Sequence, residues 1–362
     1  MEKKIVKVGI IGCGGIANGK HMPALKKVEA CEMVAFCDII KERAEKAAAD
    51  YGTSDAKVYT DYKELLLDKS IDVVHVCTPN RSHSFITVDA LESGKNVMCE
   101  KPMAINSKEA KKMLDAAERT GKLLSIGYQS RFRQDSEYLK AESEAGTFGD
   151  IYYAKATALR RRAVPTWGVF LNEYEQGGGP LIDIGTHALD LTLWIMNNYK
   201  PKYCVGTVYH KLNSDKDQAN MWGNWDCDKF TVEDSAFGFI VMENGATIVL
   251  ESAWALNTLD VREAVTSVCG TLAGADMTDG VRINGVRNGR QYVLKPDFKA
   301  GGVAFFHGSG PESAADKEER LWIEAVRGGD APITKPEQAY CVTRILEGIY
   351  ESAKSGKPYY FD

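Results

Sequence analysis

Residues 5–11 form an almost wholly apolar run that breaks directly into Gly12-Cys13-Gly14-Gly15-Ile16-Ala17. A strand of that kind needs cover on both faces, as in a parallel sheet flanked by helices. A G-x-G-x-x-G/A turn between a strand and a helix is the turn on which βαβ units hold a pyrophosphate. In that reading Gly12 allows the tight turn, Gly14 lets the backbone approach the phosphates and Ala17 permits close helix–strand packing. Cys13, Gly15 and Ile16 complete a loop whose free N–H groups face an anion. Asp38 lies 26 positions after Gly12, at the end of a second apolar strand. A carboxylate there accepts hydrogen bonds from the adenosine ribose and repels a 2′-phosphate, so NAD is expected rather than NADP. The same residue would also serve to cap the following helix.

The pattern continues in the same rhythm. Strands are expected at 33–37, 72–77, 96–99 and 123–127, with helices at 41–51, 82–93 and 107–119, the last capped by Ser107. After residue 128 the texture changes. A helix near 136–144 precedes longer alternating strands at 151–159, 203–212, 235–242 and 247–255. Asn244-Gly245 is a hairpin signal, and Asp279-Gly280, Asn284-Gly285 and Asn288-Gly289 mark further turns. Helices are expected near 187–197, 315–326 and 338–352. The fold class predicted is α/β. A doubly wound parallel Rossmann sheet for NAD spans 1–127, and a C-terminal α+β domain with a large, mostly antiparallel open sheet spans 128–362. The second domain would bind substrate and mediate oligomers, its C-terminal helix packing back on the first.

Composition removes several classes. The 45 Lys+Arg and 50 Asp+Glu give a net charge of −5, and Arg160–Arg162 is the one basic run that stands out. No nucleic-acid partner is expected. No apolar run reaches the roughly 20 residues that span a bilayer, and the charged first residues do not read as a signal peptide. Nine scattered cysteines without a C-x-x-C pair suit reduced thiols in a cytoplasm better than disulfides or a metal site, and none is expected.

The chemistry-bearing residues cluster at strand ends. Thr78, Asn80 and His83 follow the strand ending at Cys77, and Glu100-Lys101-Pro102 follows the strand at 96–99, both at the carboxyl edge where open α/β sheets bind ligands. An ammonium at Lys101 would stabilise negative charge on an alcohol oxygen as hydride leaves. Further on, Gly177-Gly178-Gly179-Pro180 leads into Asp183, His187 and Asp190, at i, i+4 and i+7 of a helix starting near Asp183. An imidazole beside a carboxylate is a suitable general base. The alternative is a helix cap at Asp183 and a satisfied core histidine. Arg160, Arg162 and Trp167 stand at the end of the strand at 151–159. Arginines there suit hydroxyls, carboxylates or cofactor phosphate, and Trp167 offers a flat face to a sugar or a nicotinamide. Tyr128, Gln129 and Arg131 follow the last Rossmann strand and would line the same cleft. The aromatic-rich loop 221–226 either covers a site or serves an oligomer contact.

In order and separation these segments resemble the Gfo/Idh/MocA oxidoreductases (glucose–fructose oxidoreductase and inositol dehydrogenase relatives): GIIGCGGIA at 9–17, EKP at 100–102, GGGPLIDIGTHALD at 177–190 and EDSAFGFIVMENGATIVLESAW at 233–254. The resemblance implies a Rossmann domain followed by an α/β domain whose open sheet often mediates a dimer or tetramer. It also implies Lys101, Asp183 and His187 as the catalytic set, with Asp183 orienting the substrate or His187. The activity implied is NAD-dependent oxidation of a secondary ring hydroxyl of a sugar, glycoside or cyclitol. The Arg160–Gly168 segment is similar to members acting on glucose-type rings, including those that oxidise position 3 of glucosides. Two rivals share the fold: a glycosidase that oxidises its substrate transiently on bound NAD, and a non-catalytic NAD- or sugar-sensing regulator.

Overall fold

The structure, a computed structural model, describes residues 5–298 and 312–362. Its residues divide into two compact units, 5–129 with 312–340, and 130–298 with 341–362.

The first unit is built on six parallel strands: β1 (Val6–Ile11), β2 (Cys31–Cys37), β3 (Lys57–Tyr59), β4 (Val73–Val76), β5 (Asn96–Cys99) and β6 (Leu124–Ile126). Their spatial order is β3-β2-β1-β4-β5-β6, which places the reversal of direction at β1 and β4, the switch point where such sheets receive ligands. β4 is buried along its whole length, as a central strand covered on both faces must be. β3 and the helix Tyr62–Leu67 escape the sequence reading because each is a single short element with weak periodicity. The helix Ser107–Thr120 is capped by Asn106, whose side chain accepts from the Glu109 N–H at 2.9 Å, and not by Ser107. Helix Ala314–Val326 also belongs here, with Trp322 and Ile323 in the core formed by Val8, Ile10 and Met22.

The second unit holds nine strands: β7 (Ile151–Leu159), β8 (Pro201–Tyr209), β9 (Ser235–Met242), β10 (Thr247–Ala253), β11 (Arg262–Gly270), β12 (Ala273–Asp276), β13 (Arg282–Arg287), β14 (Arg290–Leu294) and β15 (Tyr359–Tyr360). They run in the order β14-β13-β12-β11-β7-β10-β9-β8-β15, antiparallel except for the β7–β10 pair. The register fixes two faces. Ala156, Leu250, Gly238 and Gly206 share one row, and its two glycines lie against Ile349 of the helix Pro336–Ser355. The adjacent row, Lys155, Val249, Phe239 and Val205, points the other way and leaves Phe239 and Val205 exposed. Asn244-Gly245 makes the β9–β10 hairpin and Asn288-Gly289 the β13–β14 hairpin, the glycines at φ 86° and 71°. Asn284-Gly285 is not a turn: both residues lie inside β13, where Gly285 pairs with Ala273 and Tyr292.

Candidate active site

In the first unit the glycine loop follows from close approach. Gly12 has φ 91°, and a Cβ there would stand 2.6 Å from the Cys77 carbonyl oxygen, so only glycine fits. Gly14 and Gly15 face open space. Asp38 closes the loop from the end of β2: its Oδ2 accepts from Cys13 N–H and its Oδ1 from Ile40 N–H, each at 2.9 Å. Burial, reinforced by Asp38, pushes the Cys13 thiol up to about 12, which keeps it protonated. Ile16, Ile39 and Ile40 are exposed around this carboxylate.

The helix that follows contains a π-turn at Ala17–His21. Widening the turn brings the adjacent residues Lys20 and His21 to the same buried place, a common use of such turns. Glu100 Oε1 accepts from Lys20 Nζ at 2.7 Å and faces His21 Nε2 at 2.8 Å, while its Oε2 accepts the backbone N–H of Lys101 at 3.0 Å. Beyond them, His21 Nδ1 meets Glu319 Oε1 at 2.5 Å and Lys20 reaches Glu318 Oε2 at 2.9 Å. Burial works against charge throughout this cluster. Lys20 and His21 nevertheless hold the Glu100 carboxyl well below its usual range, and Cys77 and Glu319 hold His21 raised. His21, His75 and Glu319 bring ligand-type atoms within 4.8 Å of one another. The Lys20 ammonium already supplies this cluster with a buried cation.

The second unit supplies the other candidates. A second π-turn, Leu181–Gly185, carries Asp183 and continues into the helix Thr186–Met196. The glycine run before it is set by contact: a Cβ on Gly178 would stand 2.1 Å from the Tyr350 hydroxyl oxygen. Glu233 accepts from Gly179 N–H at 2.8 Å, Leu181 N–H at 3.1 Å and Tyr350 O–H at 2.9 Å. Burial still pushes its carboxyl up to about 7 against those donors. Asp183 Oδ2 accepts from the indole N–H of the fully buried Trp254 at 3.0 Å. His187 is half-buried one helical turn later. Arg160 is clamped by Glu263 through Nε at 2.7 Å and lies within the field of Asp183.

Residues 6–128 match the oxidoreductase family with an NAD-binding Rossmann fold, and residues 137–275 match the Gfo/Idh/MocA C-terminal domain. The chain belongs to the Gfo/Idh/MocA family. It is an oxidoreductase and its cofactor is NAD. It is 35% identical over 361 residues to the D-glucoside 3-dehydrogenase of Escherichia coli K12, covering 98% of this chain and 97% of that one. The glucose-6-phosphate 3-dehydrogenase of Bacillus subtilis 168 is 34% identical over 213 residues, 58% of each chain. The fold is also that of the aldose-aldose oxidoreductase of Caulobacter crescentus, with a TM-score of 0.78 at 22% identity over 99% of this chain and 100% of that one.

Within this family member the expected residues separate into groups. Gly12, Cys13, Gly14, Gly15, Ile16 and Asp38 gather at the ends of β1 and β2. Thr78 and Lys101 follow β4 and β5 at the same edge, and Asn80 opens the helix Asn80–Glu92. The loop, its open space and the Asp38 carboxylate fit NAD. Gln129 begins a short 3-10 turn and is partly buried. Four of the expected residues are buried with partners inside the protein. His83 is buried with Nδ1 on the Pro102 carbonyl and Nε2 on the Thr78 carbonyl, each at 2.8 Å, so it joins two loops. Glu100 is consumed by Lys20, His21 and the Lys101 backbone. Tyr128 is fully buried and presents no surface to a substrate. Arg131 is fully buried against Asp190, with Nε at 2.9 Å and Nη2 at 2.6 Å. Asp190 is thereby engaged by Arg131. In the second unit Trp167 is exposed, Arg160 is largely buried beside Glu263, and Arg162 is tied to Asn257 at 2.7 Å. Sequence reasoning missed Lys20, His21, Glu233, Trp254 and Glu319. Glu233 and Trp254 bound the segment 233–254 that carries the resemblance, and the Lys20-His21 pair lies one turn beyond the glycine loop.

Proposed function

We propose that this chain is a dehydrogenase that oxidises a secondary ring hydroxyl of a sugar or glycoside, position 3 of glucosides being the favoured target. The observation that carries this reading is the end-to-end likeness to a D-glucoside 3-dehydrogenase, joined to the presence of Lys101, Asp183 and His187 in their motifs. Asp38, with Gly12, Cys13, Gly14 and Gly15, would hold the NAD ribose and pyrophosphate, while Ile16, Ile39 and Ile40 offer apolar surface to the adenine. NAD held there would supply the acceptor for the carbon-bound hydrogen and its electron pair. His187 accepts the hydroxyl proton, Lys101 stabilises the charge developing on that oxygen, and Asp183 accepts a hydrogen bond that orients the substrate. One alcohol and one oxidised cofactor thus give one ketone, one reduced cofactor and one proton.

Nine unpaired cysteines accord with a reducing compartment, the cytoplasm. The helices include none long and apolar enough to cross a membrane among the described residues. The exposed row of Val205 and Phe239 supports assembly of copies through the open sheet.

The test is a panel of glucosides, hexoses and inositols followed at the absorbance of NADH, with the oxidised carbon assigned by NMR. Stoichiometric NADH with a 3-keto product supports the reading, and release of aglycone without net NADH replaces it with redox-elimination glycoside cleavage. Lys101→Ala and His187→Ala should lose turnover by orders of magnitude while retaining NAD binding. Full activity in either removes that residue from the mechanism.

A further inference from the structure

Loop 221–226 carries two tryptophans with opposite fates. Trp225 is 4% exposed, buried against Phe230, with its indole N–H on the Asn213 carbonyl. Trp222, three positions earlier, is 39% exposed and meets Trp167, itself 51% exposed, edge to face at 4.9 Å. Packing of the loop does not account for this second pair, because Trp225 already anchors it. Both exposed rings are nonetheless held in place. Thr166 Oγ1 donates to the Trp222 carbonyl at 2.8 Å, Met221 N–H to the Arg162 carbonyl at 3.1 Å, and Asn220 Nδ2 to the Val164 carbonyl at 3.0 Å. The Arg160 guanidinium lies 5.3 Å from the Trp222 ring centroid, fixed from its other side by Glu263.

Two separate links tie this surface to Asp183. Arg160 lies within the field of the Asp183 carboxylate. Trp167 also packs on Phe170 at 5.8 Å, Phe170 on Trp254 at 6.3 Å, and Trp254 donates to Asp183. A rigid pair of half-exposed indoles beside a fixed guanidinium suits a ligand with a flat apolar face and hydroxyl groups at its rim. Such surface costs solvation free energy unless it meets a ligand.

We infer that Trp222 and Trp167, with Arg160, form an outer subsite that receives the aglycone or second ring of a glycoside whose first ring is oxidised beside Asp183. This rests on the reading of the chain as a glycoside dehydrogenase. It assigns to Trp222 the selection of substituted glycosides over small ones.

The experiment compares methyl and phenyl β-D-glucoside, each with NAD, in the full chain and in Trp222→Ala and Trp222→Tyr. In Trp222→Ala the ratio of kcat/KM for the phenyl over the methyl glucoside should fall roughly five- to tenfold, through KM. Trp222→Tyr should recover most of that ratio and serves as the readout if the alanine variant does not fold. An unchanged ratio overturns the subsite, as does an equal loss on both substrates, which would make Trp222 a support of the fold. An unchanged ratio with a smaller assembly by light scattering assigns Trp222 to a contact between copies. If the unaltered chain oxidises neither glucoside but does oxidise an inositol or a free hexose, the glycoside reading itself has failed, and the subsite with it.

Discussion

Trp254, at the end of β10, donates its indole N–H to Asp183 Oδ2 across 3.0 Å and 71 positions of sequence. Both groups are buried, so the bond fixes the carboxylate where water cannot easily replace the donor. Trp254→Phe removes the donor and, with it, part of the buried ring system, whose cavity adds to the loss. A lost hydrogen bond to a charged group costs about 1.5–3 kcal/mol. The expected outcome is a lower denaturation midpoint and a fall in kcat/KM for sugar, with the NAD dissociation constant little changed by fluorescence titration.

Glu100 ties the Lys101 backbone to a buried ionic cluster. Glu100→Ala leaves Lys20 and His21 without their shared acceptor, and breaking a buried ion pair costs about 3–5 kcal/mol. Glu100→Gln keeps an acceptor for the Lys101 N–H and should retain more turnover than the alanine variant at equal fraction folded. Urea unfolding and single-turnover rates distinguish the two effects.

Arg131 and Asp190 form an ion pair with no exposed surface. Asp190→Ala strands a buried guanidinium and should cost about 3–5 kcal/mol, whereas Arg131→Met with Asp190→Leu should be far milder. Both losses should appear in the urea midpoint and not in the KM for substrate. A raised KM in folded protein would restore Arg131 to the substrate site.

Burial raises the folded-state carboxyl of Glu233 to about 7, above the value of about 4.3 for a free glutamate. Between these values the folded chain holds a proton that the unfolded chain has released. This contribution to stability is complete below the lower value and is lost as pH rises through the higher one. In Glu233→Gln the midpoint should depend less on pH over that interval. An identical pH slope in both proteins contradicts the raised carboxyl.

Asp38 discriminates against a 2′-phosphate by charge. Asp38→Asn should shift the ratio of kcat/KM toward NADP by tenfold or more, measured with one sugar and both cofactors. It should also weaken NAD binding, because Cys13 N–H loses a charged acceptor.

The amino-acid sequence by itself determined the local signals. The apolar strand followed by Gly12, the placement of Asp38, the Lys101 and His187 motifs and the Asn244-Gly245 hairpin are short-range, and each depends on the conformational limits of a few adjacent residues. The parallel character of the first sheet and the NAD loop were legible for that reason. Pairings across long separations were not. His21 meets Glu319 at a separation of 298 residues, Asp183 takes its donor from Trp254, and Arg131 spends its guanidinium on Asp190. Two π-turns add a residue to the helical period just where Lys20, His21 and Asp183 stand, so a regular i, i+4 spacing does not describe the step from Asp183 to His187. Only the tertiary structure decided which charges are buried and paired. A side chain's burial depends on what the rest of the chain packs against it, and no local period encodes that.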